Sequence, residues 1–200
     1  TSENQQQFDY EDLFFLPQAA ITYDFTSGQK LKLSYSRSLT RPNVYQLNPV
    51  AFNENPLMQN KGNAELKPGQ HENLYLEHSI RFDNNFLATR IFYSQTKNAI
   101  QNLLTFNGDN FFECTTHNLG DITRYGLQLK GSLKVGKKVS LNPYFRVFRM
   151  HADPNSFEQS NSLNSFSSIA YASGLSAIAS FAEGYSASLR FQYNSPNPLL

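Results

Sequence analysis

The residues that could carry out catalysis or bind a metal ion are scattered along this chain. Its four histidines, His71, His78, His117 and His151, include no pair two or four residues apart, the spacings that place two imidazoles on one face of a strand or helix. The single cysteine, Cys114, shows no His–Asn framework of the kind that activates a thiolate. The chain also lacks a Ser-His-Asp order and a glycine-rich phosphate loop. We therefore expect no enzyme, no catalytic residues, no metal site and no cofactor.

Three glutamates could suggest paired carboxylates for acid–base chemistry, namely Glu65, Glu72 and Glu77. Only Glu77 lies well inside a predicted strand, on the same face as Tyr75 and Arg81. We therefore expect Glu77 to form an ion pair on the polar face of that strand rather than to transfer protons.

The best candidate for a ligand-binding segment is the stretch of residues 39–69. It is rich in asparagine and contains four prolines, which argue against central strands within it. We predict a long loop without regular structure, a kind of segment that is usually functional. Amide groups and aromatic rings suit sugars, and arginine suits anionic ligands. The candidate ligand-binding residues are Arg41, Tyr45, Asn48, Asn53, Asn55 and Asn63. The alternative is that Arg41-Pro42 and Gly62-Asn63 only shape the loop.

The elements that would hold this loop are strands. Residues 30–38, 122–135 and 185–193 alternate apolar and polar side chains with a period of two, which indicates strands with two unlike faces. The first strand is predicted over residues 13–25, and residues 103–119 are predicted to form a small outer hairpin. We expect eight main strands, up to two short ones and no helix of useful length. The chain is therefore predicted to be all-β, with antiparallel neighbours.

The connections between these strands differ in length at the two ends of the predicted sheet. Short turns are predicted at residues 27–29, 83–85, 136–137 and 183–184, whereas residues 39–69 and 153–165 form long polar loops. Outer-membrane β-barrels have this asymmetry, with short periplasmic turns and long external loops. We therefore place the four turns on the periplasmic side and the two loops outside.

Composition fits this interpretation and excludes others. The mean hydropathy of −0.49 and the lack of a long apolar run exclude a transmembrane helix. A net charge of +1 gives no basic surface for nucleic acid. Aromatic residues lie next to the predicted turns, as in an interfacial girdle: Phe25, Phe82, Phe181 and Tyr185. Two other readings stay open: a soluble all-β module that binds carbohydrate or protein, and a β-rich hydrolase.

Three stretches resemble the barrels of TonB-dependent outer-membrane receptors. Residues 36–49, from Ser36-Arg37-Ser38-Leu39-Thr40-Arg41-Pro42 to Asn48-Pro49, are similar to the passage from a strand into a loop in that family. Residues 62–74, from Gly62-Asn63-Ala64-Glu65-Leu66-Lys67-Pro68 to His71-Glu72-Asn73-Leu74, resemble the return into the next strand. Residues 118–129, Asn118-Leu119-Gly120 followed by Arg124-Tyr125-Gly126-Leu127, resemble a later strand opening. Together they look most like the outer membrane protein β-barrel branch.

The resemblance implies a fold, a location and partners. It implies an antiparallel up-and-down meander that forms a partial wall of a large transmembrane β-barrel of about 22 strands. We expect residues 1–200 to be a segment of this barrel, with the plug domain outside it. Such receptors import a scarce nutrient, such as a siderophore, vitamin or oligosaccharide, across the outer membrane of a Gram-negative bacterium. The implied partners are outer-membrane lipid, a plug domain, TonB and a small nutrient ligand, and no nucleic acid.

Overall fold

The computed structural model describes residues 13–25, 28–55, 57–106, 112–154, 165–182 and 184–196. One short helix and twelve strands follow one another along this part of the chain. They are β1 (Gln18–Asp24), β2 (Gln29–Thr40), α1 (Val44–Leu47), β3 (Phe52–Asn55), β4 (Met58–Lys61), β5 (Gly69–Phe82), β6 (Asn85–Lys97), β7 (Ile100–Phe106), β8 (Phe112–Asn118), β9 (Asp121–Val135), β10 (Val139–Asp153), β11 (Phe166–Ala182) and β12 (Tyr185–Asn194).

Eight of these strands form one antiparallel sheet, which we call the main sheet. Its order is β1-β2-β5-β6-β9-β10-β11-β12, so each strand pairs only with strands that come next to it in the meander. The prediction of eight main antiparallel strands is confirmed. Within the described residues, β1 and β12 are the two edge strands of the sheet and do not pair with each other. The main sheet is therefore open.

The first strand begins later than predicted, at Gln18 rather than at residue 13, and Pro17 just before it has no N–H to donate. The strand after the second turn, β6, ends at Lys97. Asn98 has a φ of +52°, a left-handed conformation that breaks the extended backbone before β7 begins.

Short turns connect neighbouring strands along the border of the main sheet that the strand ends form on one side. We call this border the turn edge. Gly28, Asp83, Gly136 and Gly184 have positive φ angles there, as tight hairpin turns require. Ser27 and Glu183, which were also assigned to these turns, lie outside the described residues. The long segments all leave from the opposite edge, the loop edge, so the predicted asymmetry is present in the structure.

A second sheet lies at the loop edge, and it corrects the prediction for residues 39–69. Instead of a loop without regular structure, this segment contains α1 and the hairpin of β3 and β4. Pro42, Pro49 and Pro68 lie outside these elements and do not interrupt them. The predicted outer hairpin over residues 103–119 is confirmed as β7 and β8. The four strands join in the order β3-β4-β8-β7, with β4 parallel to β8, so the described residues contain four short strands rather than two.

The two faces of the main sheet differ sharply. One row across seven strands is entirely apolar, and it consists of Ile21, Leu33, Leu76, Ile91, Leu127, Val147 and Tyr171. Most of these side chains are exposed, and Ile21 keeps 71% of its accessible surface. Only seven hydrophobic side chains are buried among the described residues, and four of them are alanines. The apolar face is therefore not covered by a protein core, as it would be in a soluble sandwich.

Aromatic residues border this apolar face at both edges. Tyr35, Tyr93 and Tyr125 share one row near the loop edge, and Tyr171 and Tyr193 lie two and four residues closer to the turn edge. Such a stagger is expected when strands tilt relative to the membrane normal. At the other edge, the four aromatics predicted to form a girdle, Phe25, Phe82, Phe181 and Tyr185, are all exposed.

Candidate functional site

The polar face of the main sheet carries most of the charged side chains, and they are mainly basic. Their strand positions follow from the same pairing that aligns the apolar row. The acidic ones are Asp24 and Glu77, and the nine basic ones are Lys30, Lys32, Arg81, Arg90, Arg124, Lys130, Lys134, Arg146 and Arg190. The chain as a whole has a net charge of only +1, so positive charge is concentrated on this face.

Glu77 lies at the centre of an ion-pair cluster on this face. Arg90 donates to Glu77 Oε2 from Nη2 at 2.6 Å and from Nε at 2.9 Å, and Lys130 Nζ lies 3.3 Å from the same oxygen. The Arg90 guanidinium also stacks 4.1 Å from the ring centroid of Tyr75. The prediction that Glu77 forms an ion pair is confirmed. Its partners are on β6 and β9, whereas Arg81 lies over the ring of Phe86.

Arg146 occupies a different environment on the same face. Its guanidinium carbon lies 4.4 Å from the ring centroid of Phe92 and 4.8 Å from that of Phe148, so it is held by two cation–π contacts. The two rings face each other across Gly126, where a Cβ atom would come within 2.1 Å of the Val147 carbonyl oxygen. Arg146 Nε is buried without a hydrogen-bond partner among the described residues. The guanidinium is therefore positioned by packing and not by a carboxylate.

A groove runs beside Arg146 between β10 and β12. Its floor is β11, which carries only small side chains at this level: Ala170, Ala172, Gly174 and Ser176. One wall is formed by Asn142, Tyr144, Arg146 and Phe148, and the other by Arg190, Gln192 and Asn194. The cavity has a volume of about 590 Å³, and Arg124 reaches its end near the loop edge. The groove exists because three adjacent strands place large, small and large residues side by side.

The predicted ligand residues of the 39–69 segment lie at the loop edge, away from the groove. Tyr45 projects from α1 with 76% of its surface exposed, and Arg41 is exposed just after β2. Asn48 Oδ1 accepts from Val50 N, and Asn63 Oδ1 accepts from Glu65 N. Asn53 and Asn55 lie on β3, within the hairpin. The amide oxygens of Asn48 and Asn63 therefore help to shape the segment, as the alternative considered for Gly62-Asn63 requires.

Gly62 and Asn118 fix the position of this segment. Gly62 N donates to Asn48 O at 2.9 Å, and a Cβ atom at Gly62 would lie within 2.6 Å of three backbone oxygens. Asn118 Nδ2 donates to Lys67 O at 2.9 Å and to Asn98 O at 3.0 Å. Both residues belong to the stretches that carry the family resemblance. Those stretches therefore contain residues that hold the loop segment in place.

The groove residues Arg124, Arg146 and Arg190 were not among the predicted site residues. Arg124 and Arg190 lie at polar positions of predicted strands, and counting the charges at such positions would have shown the basic excess. The concavity itself depends on how β10, β11 and β12 pair, and no local pattern reveals that pairing register.

In the ranges that the structure describes, no three histidine, cysteine or carboxylate side chains converge as metal ligands would. No helix in those ranges is long and apolar enough to cross a membrane. Burial lowers the pKa of His117, which lies on β8 with Nε2 2.9 Å from Thr115 Oγ1. This favours the neutral imidazole near pH 7.

Comparison with known proteins decides the family. The model of the outer membrane protein beta-barrel family matches residues 1–199. This chain belongs to that family. The predictions of a partial barrel wall and of a place in the Gram-negative outer membrane are thereby confirmed. The apolar face is the lipid-facing side of the barrel, and the polar face lines its lumen.

Solved structures show the same fold in larger receptors. The siderophore receptor PirA from Pseudomonas aeruginosa matches with a TM-score of 0.58 at 18% identity, over 86% of this chain and 37% of PirA. A mutant of the ferric enterobactin receptor PfeA from the same organism, in complex with enterobactin, matches with a TM-score of 0.52 at 14% identity, over 86% of this chain and 34% of PfeA. PfeA in complex with BCV-L6 matches with a TM-score of 0.52 at 15% identity over the same shares.

These comparisons have a defined scope. At such identities the likeness is one of fold. The chain spans little more than a third of the length of the receptors that it matches. A search of curated proteins found no match to this sequence.

Proposed function

We propose that this chain forms part of the barrel wall of a TonB-dependent receptor that imports a scarce small nutrient across the outer membrane. The observation that carries the proposal is the two-sided main sheet: an exposed apolar row faces outward and a charged face turns inward. A lumen wall of this kind suits the passage of a polar solute. The nutrient would be a siderophore, a vitamin or an oligosaccharide.

The open main sheet supports a larger barrel around this segment. An unpaired strand edge in the hydrocarbon region would leave backbone N–H and C=O groups without partners, which costs several kcal/mol per group. Since β1 and β12 do not pair with each other, further strands are needed to close the barrel. We therefore propose that residues 1–200 are one segment of a barrel whose lumen holds a separate plug domain, through which TonB acts.

The second sheet supports a role for the loop edge in capturing the nutrient. Its strands hold residues from two segments of the chain in one layer beside the lumen opening. We propose that Arg41 and Tyr45, with Asn48, Asn53, Asn55 and Asn63, contact the ligand as it enters. The exposed side chains of Arg41 and Tyr45 make them the strongest of the six.

A soluble binding module is not favoured, because the apolar row would then face water. Cell fractionation separates the two: the full-length protein should be recovered with the outer membrane and not with the soluble fraction. Uptake gives the functional test. Deleting the gene should abolish growth on one limiting nutrient, and deleting tonB in the parent strain should have the same effect. Uptake that continues without TonB would contradict the proposed import mechanism.

A further inference from the structure

Three arginines line the groove between β10 and β12, and no carboxylate of the described residues neutralises them. Among the described residues, the ion pairs of the lumen face involve Lys30 with Asp24, and Arg90 and Lys130 with Glu77. No described carboxylate lies within ion-pair distance of Arg124, Arg146 or Arg190. Arg124 and Arg146 are close enough to repel each other. Two like charges this close in a partly buried wall cost stability unless an anionic group lies near them.

The groove also offers neutral hydrogen-bond donors beside these charges. Asn142 and Tyr144 lie on one wall and Gln192 and Asn194 on the other. Guanidinium groups bind carboxylate and phosphate oxygens through two parallel hydrogen bonds, which makes arginine specific for such groups. The cavity of about 590 Å³ falls in the range of small-molecule pockets, about 300–1,000 Å³.

We propose that this groove is a binding site for a small solute that carries several carboxylate or phosphate groups. The inference rests on the proposed function and names the chemical class of the solute. Arg146 would bind one anionic group at the centre of the groove, because its guanidinium is already held in place by Phe92 and Phe148. Arg190 would bind a second group from the opposite wall. Arg124 extends the positive surface toward the loop edge, from which the solute would enter.

A small solute fits this groove better than an acidic segment of a plug domain does. The floor is only one strand wide between two walls, about 10 Å apart at the usual strand spacing. That width accepts a compact molecule with charges on both sides. The end lined by Arg124 lies in the half of the wall next to the loop edge, where an arriving solute would first meet the lumen.

The test is calorimetric titration of the full-length protein in detergent with two probes, citrate and inorganic pyrophosphate. We expect at least one probe to bind with a dissociation constant below about 1 mM, and the affinity to fall as salt is added. Arg146→Gln and Arg190→Gln should each weaken binding at least about tenfold. Lys134→Gln removes a lumen charge outside the groove and should leave the affinity unchanged. Arg146→Lys keeps the charge and loses the bidentate geometry, so its affinity should be intermediate.

Two results would overturn this inference. The first is a wild-type protein that binds neither probe, and the second is an Arg146→Gln/Arg190→Gln double variant that binds as well as wild type. An acidic plug segment in the groove would give the first result together with a large loss of thermal stability in both single variants. TonB-dependent uptake of a nutrient would persist in either case if the proposed function is right. A failure of the anion-binding inference can therefore be told apart from a failure of the proposed function.

Discussion

Asn118 and Lys67, 51 residues apart in sequence, are joined by two hydrogen bonds. Asn118 Nδ2 donates to Lys67 O at 2.9 Å, and Lys67 N donates to Asn118 Oδ1 at 2.8 Å. An asparagine side chain that both donates to and accepts from one residue's backbone makes the same pair of hydrogen bonds as a paired residue on a neighbouring β-strand. This contact links the segment before β5 to the end of β8, and so it couples the two parts of the second sheet.

Asn118→Ala should loosen the second sheet without disturbing the main sheet. The variant loses three hydrogen bonds, two to Lys67 and one to Asn98, each worth about 0.5–1 kcal/mol, so local opening should become about tenfold to a hundredfold more frequent. Hydrogen–deuterium exchange of the full-length protein should accelerate in β4 and β8 and stay unchanged in β9. Gln101→Ala, at an exposed position on β7, is the matched control. Unaltered exchange in β4 would show that β4–β8 pairing does not depend on this contact.

Glu77→Gln should destabilise the barrel because it leaves Arg90 and Lys130 without their carboxylate. The Glu77 side chain is 15% exposed, so solvent compensates little, and we expect a loss of about 1–3 kcal/mol in the free energy of unfolding. Urea unfolding followed by gel mobility of the folded form measures it. Asp24→Asn breaks the exposed pair with Lys30, whose side chain is 52% exposed, and should change stability by less than about 0.5 kcal/mol. Equal losses of stability in the two variants would show that the Glu77 cluster contributes no more to stability than the exposed ion pair does.

The turn edge should lie in the periplasm and the loop edge outside the cell. In a Cys114→Ser background, a cysteine at Tyr45 should react with a membrane-impermeant maleimide added to intact cells, because Tyr45 is 76% exposed at the loop edge. A cysteine at Lys137, in the exposed turn between β9 and β10, should react only after the outer membrane is permeabilised. Labelling of Lys137→Cys in intact cells would show that the orientation is the reverse of the one assigned here.

Local pattern predicted the main sheet well, for a physical reason. Side chains alternate strictly between lipid and lumen, so Tyr125, Leu127 and Leu129 show their shared face in sequence. The turns were equally readable, because the positive φ at Gly136 and Gly184 favours glycine.

The second sheet and the groove were not readable in the same way. Strand β4 reads Met-Gln-Asn-Lys and pairs with β8 through backbone bonds that connect distant parts of the chain. Neither strand has the alternation that marks a half-buried face. The groove likewise depends on which residues of three strands come into register, so Arg146 and Arg190 line the same groove only through tertiary pairing.

The odd-numbered positions of β12 face lipid and the even-numbered ones face the lumen. Leu189 and Ser188 are adjacent on that strand, both exposed, and Leu189 lies four residues from Tyr185 and four from Tyr193 at the two aromatic borders. An arginine at the bilayer midplane of a barrel costs about 2–4 kcal/mol, whereas one in the lumen costs little.

The most direct measurement compares Leu189→Arg with Ser188→Arg in the full-length protein. The quantity is the amount of folded protein recovered from the outer membrane, together with its free energy of unfolding in lipid vesicles. We predict that Leu189→Arg loses about 2–4 kcal/mol and most of the folded protein, and that Ser188→Arg resembles wild type. Equal tolerance of both arginines, or the reverse order, would contradict the account of this chain as an outer-membrane barrel wall.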